Sequence, residues 1–123
     1  MGPFGKLKVW QRGRDPALAI YRATARFPGT ERYGLAVQMR SAAVSIPSNI
    51  AEGCGRRSDR ELSRFLRIAL GSATELECQV ILACELSILD AGVAQELLGP
   101  VAEVQGMLAK LLRKLSTQAA HSP

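Results

Sequence analysis

Residues 58–87 read SDRELSRFLRIALGSATELECQVILACELS, and this stretch decides the fold. Ser58-Asp59-Arg60-Glu61 is a capping box: the Ser58 hydroxyl is placed to accept from the Glu61 amide, and the Glu61 side chain to reach back. From there Leu62, Leu66, Ala69, Ala73, Leu76, Val80, Ala83 and Ser87 recur at alternating spacings of four and three. An average period of 3.5 keeps one apolar seam facing partner helices and produces left-handed bundle packing. The pattern predicts a helix over 58–89.

Working outward, Asp90-Ala91-Gly92 is short enough only for a tight turn. Leu97, Val101, Val104, Leu108, Leu111 and Leu115 then repeat the same spacing. Pro100 removes one backbone hydrogen bond inside that run but leaves the register intact, so a kinked helix over 93–116 is expected, with 117–123 as a frayed polar tail. Upstream, Phe27-Pro28-Gly29-Thr30 ends one helix and places Thr30 to cap the next. Leu35, Met39, Ala42, Ile46, Ile50 and Gly53 form its stripe, giving a helix over 30–53 kinked at Pro47 and stopped by Gly53-Cys54-Gly55. Leu7, Trp10, Ala17, Ile20, Thr24 and Phe27 mark a first helix over 8–26. Gly13 and Asp15-Pro16 interrupt it, so a break with Asp15 capping a shorter helix is an alternative. Four helices with short joints imply an all-α, antiparallel up-down-up-down four-helix bundle, a single domain over 1–123 without internal repeats.

The composition narrows the chemistry. The 123 residues are 47% hydrophobic and 22% charged, with 16 Lys+Arg against 11 Asp+Glu, a net +5. The longest uncharged run, Ser41–Ala51, has eleven residues and is too short to span a bilayer. No signal peptide is visible, so a soluble cytoplasmic protein is expected. Three cysteines without C-x-x-C spacing point to reduced thiols, with Cys78 and Cys84 buried and Cys54 more accessible. The single histidine, His121, lies in the tail, which leaves Ser-His-Asp or Cys-His catalysis without a base. No clustered metal ligands are present, and the expectation is a non-enzyme with no cofactor.

Charge is unevenly distributed. Residues 1–67 hold 13 basic and 5 acidic groups, residues 68–109 hold 6 acidic and no basic ones, and residues 110–123 hold 3 basic groups. An antiparallel bundle sorts these into a basic end and an acidic end carrying Glu75, Glu77, Glu85, Asp90, Glu96 and Glu103. Arg57, Arg60, Arg64 and Arg67 fall within an arc of about 80° on one helix. Like charges at that spacing are mutually unfavourable, and cations at a helix N-terminus oppose its dipole. A solvated face is the bland explanation; an anionic partner explains both features. Arg12, Arg14, Arg56, Arg57, Arg60, Arg64, Lys110, Arg113 and Lys114 are the candidate contacts to nucleic acid.

Gly53-Cys54-Gly55-Arg56-Arg57-Ser58 leads into a helix N-terminus able to hold an anion, but it lacks the G-x-x-x-x-G-K-[ST] of a nucleotide-binding loop. Ser48, Asn49 and Glu52 beside Pro47 are expected to satisfy the carbonyl that Pro47 frees. Gly71-Ser72 suggests close helix packing, and Trp10, Tyr21, Tyr33 and Phe65 are expected in the core.

The residues Val9-Trp10-Gln11, Ile20-Tyr21, Phe27-Pro28, Glu31-Arg32-Tyr33-Gly34-Leu35, Gln38, Ser45-Ile46-Pro47-Ser48-Asn49-Ile50-Ala51-Glu52-Gly53, Gly55-Arg56, Phe65-Leu66, Ile68-Ala69, Gly71-Ser72 and Glu75-Leu76-Glu77 resemble the bacterial four helix bundle protein family. That family includes proteins encoded by intervening sequences of the 23S ribosomal RNA gene. It is similar in fold to the accessory variability determinant of diversity-generating retroelements. The resemblance makes Ser45, Pro47, Asn49, Glu52, Gly53, Gly55, Gly71 and Glu75 its structural motif. It implies a ring-shaped homopentamer with a basic surface suited to RNA or DNA; the retroelement relatives also bind reverse transcriptase. Gly13 and Asp15-Pro16 depart from the family's continuous first helix, and Ser41 stands where a basic residue is common. The functional expectation is a non-catalytic homo-oligomer binding structured RNA, with a protein-interaction module free of nucleic acid as the alternative.

Overall fold

The computed structural model describes residues 3–31 and 34–120. Four α-helices occur among them: α1 (Lys8–Thr24), α2 (Leu35–Cys54), α3 (Asp59–Glu85) and α4 (Ala91–Ala120). Short 3-10 turns at Pro3–Lys6 and Gly29–Glu31 precede α1 and α2. Helix α1 packs on α2 and α4, and α3 packs on the same two, closing a four-membered ring. Neighbours run antiparallel: Gly13 near the start of α1 meets Ile46 and Ile50 near the end of α2, and Ser45 in α2 meets Ser72 in α3. The molecule is an antiparallel four-helix bundle. No described helix is long and apolar enough to cross a membrane.

The seams read from the sequence are the core. Met39, Ala42, Ile46 and Ile50 from α2, Leu66, Ala69, Ala73, Leu76, Val80 and Ala83 from α3, and Leu97, Val101, Val104 and Leu108 from α4 are all buried. Burial of each of the larger side chains among them contributes roughly 1.5–3 kcal/mol, which makes this stripe a main source of stability.

Several boundaries differ from expectation. Helix α1 is continuous through Asp15-Pro16: Pro16 is buried, and Asp15 pairs with Arg12 and Arg14 rather than capping a new start. Helix α2 begins at Leu35 rather than Thr30, because Gly29–Glu31 forms its own turn. Helix α3 stops at Glu85 through a Schellman closure, with Ile88 N–H donating to the Ala83 carbonyl and Ser87 N–H to Cys84. Ser87, expected to extend the seam, instead takes φ 63°, the left-handed position of that motif. Asp90 then caps α4, its Oδ1 accepting from Val93 N–H at 2.9 Å. Helix α4 extends to Ala120, through much of the segment expected to fray; His121 lies outside the described residues. The Ser58 cap is present at 3.2 Å, without a reciprocal bond from the Glu61 side chain.

Two glycines set how closely α2 meets its neighbours. A Cβ on Gly13 would lie 2.7 Å from Ile50 Cδ1, and one on Gly53 would lie 3.0 Å from Phe65 Cβ and 3.1 Å from Leu62 Cδ1. Gly53 is therefore also a contact inside α2, which ends at Cys54 within the expected Gly53-Cys54-Gly55 stop, with Gly55 as a right-handed C-cap. Gly71 shows the reverse: nothing lies within 4 Å of a Cβ there, so it serves no close packing. Cys78 and Tyr21 are exposed rather than buried, because each lies on the outward side of its helix. Tyr33 lies outside the described residues.

Replacement by alanine recovers about 1 kcal/mol of helix propensity, whereas overpacking costs roughly 1–3 kcal/mol. Gly71→Ala should therefore raise stability by about 1 kcal/mol, while Gly13→Ala and Gly53→Ala should each lower it by about 1 kcal/mol. Ser87→Gly should add roughly 0.5–1 kcal/mol by relieving the left-handed strain. Urea unfolding of the four variants checks both signs; a uniform stabilisation would refute the contact role of Gly13 and Gly53.

Candidate nucleic-acid interface

The start of α1, the end of α2, the start of α3 and the end of α4 converge at one end of the bundle, where Leu7, Cys54, Leu62 and Leu115 share a groove. Lys6, Lys8, Arg56, Arg57, Arg60, Arg64, Arg67, Lys110, Arg113 and Lys114 all belong to these segments and are exposed. Glu52, Asp59 and Glu61 are the acids of the same segments, and two of them sit in the first turn of α3, where they favour its dipole.

Phe65 organises part of this cluster. The Arg56 guanidinium lies 4.9 Å from its ring centroid and the Arg64 guanidinium 5.1 Å. Arg56 also approaches Glu52 at 3.7 Å, an exposed pair of small energetic weight. Phe65 is half-buried, so its ring is shared between the core contact at Gly53 and the two arginines. Arg57, Arg60, Arg67, Lys110, Arg113 and Lys114 have no carboxylate within 4 Å among the described residues.

Arg12 and Arg14 are placed differently. Arg12 Nε donates to Glu103 Oε1 at 2.9 Å and its Nη1 lies 3.5 Å from Asp15. That pairing draws Glu103 to the α1–α4 seam and away from the acidic end. Arg14 stacks over Trp10 at 5.4 Å and contacts Asp15 at 3.5 Å, its Nε buried without a partner. Arg12 ties α1 to α4 and Arg14 is held within α1, whereas the other seven candidates face outward.

Two grooves open at this end. The first, about 320 Å³, is walled mainly by Leu7, Leu62, Leu66, Leu111 and Leu115, with Lys114 at its edge. The second, also about 320 Å³, runs between α3 and α4 with Arg60, Ser63, Arg67 and Ser116, and Asp59 at one end. Leu115 is a wall of both. Cys54 borders the first groove, and partial burial pushes its thiol above the ordinary range.

The Ser-Ile-Pro-Ser-Asn-Ile-Ala-Glu-Gly run acts mainly within the bundle. Ser45 Oγ and Ser72 Oγ lie 2.7 Å apart across α2 and α3, and Asn49 Nδ2 donates to the Ser45 carbonyl at 2.8 Å and to Ser45 Oγ at 2.9 Å. The carbonyl freed by Pro47 belongs to Ala43, so Asn49 reinforces the next turn instead of answering the proline. Glu75 is exposed above this cluster, in a shallow groove with Gln38 and Ser41. The Ser45–Ser72 bridge, which joins two helices, and the Arg56–Phe65–Arg64 stack, which joins the α2–α3 connection to α3, escaped sequence reasoning, since each depends on a helix rotation that only the fold determines.

The model of the 23S rRNA-intervening sequence protein family matches residues 5–110 of this chain. The chain belongs to that family. The matched span includes Arg56, Arg57, Arg60, Arg64 and Lys110, while Arg113 and Lys114 lie beyond it. Among solved structures, the chain is similar to a protein of unknown function from the S23 ribosomal protein family of Bacteroides thetaiotaomicron VPI-5482. The TM-score is 0.80 at 19% identity, covering 85% of this chain and 95% of that one. That likeness establishes the shared fold of this 23S rRNA-intervening sequence family member. No curated protein matches the chain.

Phe65→Leu keeps an apolar side chain at the Gly53 contact but removes the ring that two guanidiniums share. An exposed cation–π contact contributes about 0.5–1 kcal/mol. The variant should lose about 1–2 kcal/mol in urea unfolding at low salt, and an unchanged midpoint would argue that the stack carries no stability.

Proposed function

We propose that this protein is a cytoplasmic, non-catalytic homo-oligomer that binds structured RNA, or another nucleic acid, through the cationic end of its bundle. The observation that carries this reading is the convergence of Arg57, Arg60, Arg67, Lys110, Arg113 and Lys114 on one end without carboxylate partners among the described residues. Phosphate backbones neutralise such a surface and release counterions, which rewards a concentration of unpaired cations. Arg56 and Arg64, held over Phe65, present guanidiniums of restricted freedom, and guanidinium forks match phosphate geometry.

Self-association is supported by exposed apolar side chains on α2 and α3. Val37 and Val44 on α2, and Ile68, Ile81 and Leu82 on α3, are exposed, and Ser41–Ala51 carries no charge before Glu52. Exposed apolar side chains of this kind fit protein–protein contacts. The family resemblance makes a ring of five copies the specific form of that assembly. The same side chains also favour the second reading, an assembly module whose partners are proteins alone.

The decisive measurement is the binding of a structured RNA at about 50 and 200 mM salt, with light scattering on the same samples. Binding should weaken steeply as salt rises, each phosphate contact adding about 0.7–0.9 to the slope of log K against log salt. Arg60→Glu with Arg64→Glu should reduce affinity more than tenfold and flatten the slope by about two, while Arg12→Gln should leave both nearly unchanged. Absence of binding at low salt, or binding indifferent to salt, rejects the nucleic-acid reading; a persistent monomer rejects the oligomer.

A further inference from the structure

The two ends of the bundle are finished differently. At the acidic end Phe27 and Leu89 are buried, 4% and 7% exposed, and cover the core, while Leu86 at the close of α3 stands out into solvent. At the cationic end Leu7 is 44% exposed and Leu62, Leu111 and Leu115 are only half-buried, so the core opens into the groove of about 320 Å³ between them. Leaving these leucines open sacrifices hydrophobic stabilisation that a better-sealed end would retain. The opening is bordered by Lys114, with Lys6, Lys8 and Arg56 on the adjoining segments. On the far side of Leu115 the second groove offers Arg60 and Arg67, two helical turns apart, with the Ser63 and Ser116 hydroxyls.

We infer that this end receives one unpaired nucleotide of the bound RNA, a deepening that rests on the nucleic-acid reading above. The base enters the leucine-walled groove, and the adjoining phosphate lies in the Arg60–Arg67 groove, away from the Asp59 end. The charge and shape select this occupant. An apolar slot beside a cationic slot calls for a ligand with a flat apolar face joined directly to an anion. Fully paired duplex offers phosphates but keeps its base faces stacked inside, whereas loops and bulges expose them. An acidic amphipathic helix needs apolar anchors spread over about 10 Å, two turns or more, while this slot is at the small end of ligand-pocket volumes. The same walls fit sequence-tolerant binding: every base has an apolar face, and the groove is mainly aliphatic, with Lys114 and Gln118 as its polar side chains.

The test uses the full chain and three RNA hairpins with the same paired stem: fully paired, carrying a single-nucleotide bulge, and carrying an abasic bulge. Fluorescence anisotropy at one fixed salt concentration should give about tenfold tighter binding of the base-bearing bulge than of the other two. With 2-aminopurine as the bulged base, emission should change on binding. Leu111→Gln should erase the tenfold preference and leave affinity for the paired hairpin and its salt slope intact. Leu111→Met, which preserves volume, should keep the preference, so a folding defect is distinguishable from a lost slot. Equal affinity for all three hairpins overturns the nucleotide slot while leaving the proposed function standing. Failure of all three to bind removes both. Equal affinity together with saturable binding of an acidic leucine-bearing peptide, blocked by Leu111→Gln, assigns the groove to a protein partner and overturns the inference.

Discussion

The approach of α3 to α2 at Gly53 is the contact on which the rest of the molecule depends. With no side chain at Gly53, the Phe65 Cβ comes within 3.0 Å of where a Cβ would stand. That approach seats Leu62 and Phe65 against the end of α2 and turns the Phe65 ring toward Arg56 and Arg64. It also brings Ser45 and Ser72 to 2.7 Å, further along the same pair of helices. Gly13 does the equivalent for α1, whose start lies against Ile46, Pro47 and Ile50. Helix α2 is therefore clamped on both sides by glycine contacts, and its Pro47 is carried within a continuous helix despite the lost hydrogen bond. The motif run Ser45 to Gly53 reads, in physical terms, as the inner surface of that clamp.

The charge pattern follows from the antiparallel order. Because α3 starts and α4 ends at the same place, Arg57 to Arg67 and Lys110 to Lys114 meet although more than 40 positions separate them. Where opposite charges come within reach, the structure uses them for packing: Arg12 meets Glu103 across 91 positions of sequence. At the α1–α2 end, Arg40 donates to Thr24 Oγ1 at 2.8 Å and stacks on Tyr21 at 4.6 Å, placing a cation at the C-terminus of α1, where the dipole favours it. Arg12, Arg14 and Arg40 thus have partners and structural roles. Among the described residues Arg22 and Arg26 at the far end also lack a carboxylate within 4 Å, but the unpaired cations are most numerous at the convergent end.

The helical seams were legible because a 3.5-residue period constrains every position at once, and a single misplaced apolar residue would break it. Leu66 to Ala83 and Leu97 to Leu108 needed no tertiary information. Boundaries were less legible, since they depend on local hydrogen bonds that several sequences can make. Thr30 is a good cap in isolation, yet the Gly29–Glu31 turn displaces the start of α2 to Leu35. Ser87 matches the seam period, but the Schellman closure draws it into a left-handed turn. Gly53 and Gly71 illustrate the same limit within helices: both look like breakers or contacts, and only the rotation of each helix decides that one touches α3 and the other faces open space. For the candidate site, the cationic residues were readable by position, but their division into paired and unpaired members was not. Arg12 reaches Glu103 on another helix, whereas Arg60 finds no carboxylate within 4 Å, a difference set by what lies opposite each.

Two unfavourable features coincide at the convergent end, and their coincidence is informative. Like-charged side chains three and four residues apart oppose helix stability, and the arginines at the start of α3 also oppose its dipole. Partly exposed leucines forgo burial at the same place. Either feature alone has an ordinary explanation, as a solvated charged face or as an imperfectly sealed bundle end. Together they are harder to attribute to stability, because an acid in place of Arg60 or Arg67 would relieve the repulsion without disturbing the core. Departures from local stability are expected at functional sites. On the proposed reading the ligand supplies what is lost there, apolar contact and anionic neutralisation side by side, and a nucleotide carries both within one residue.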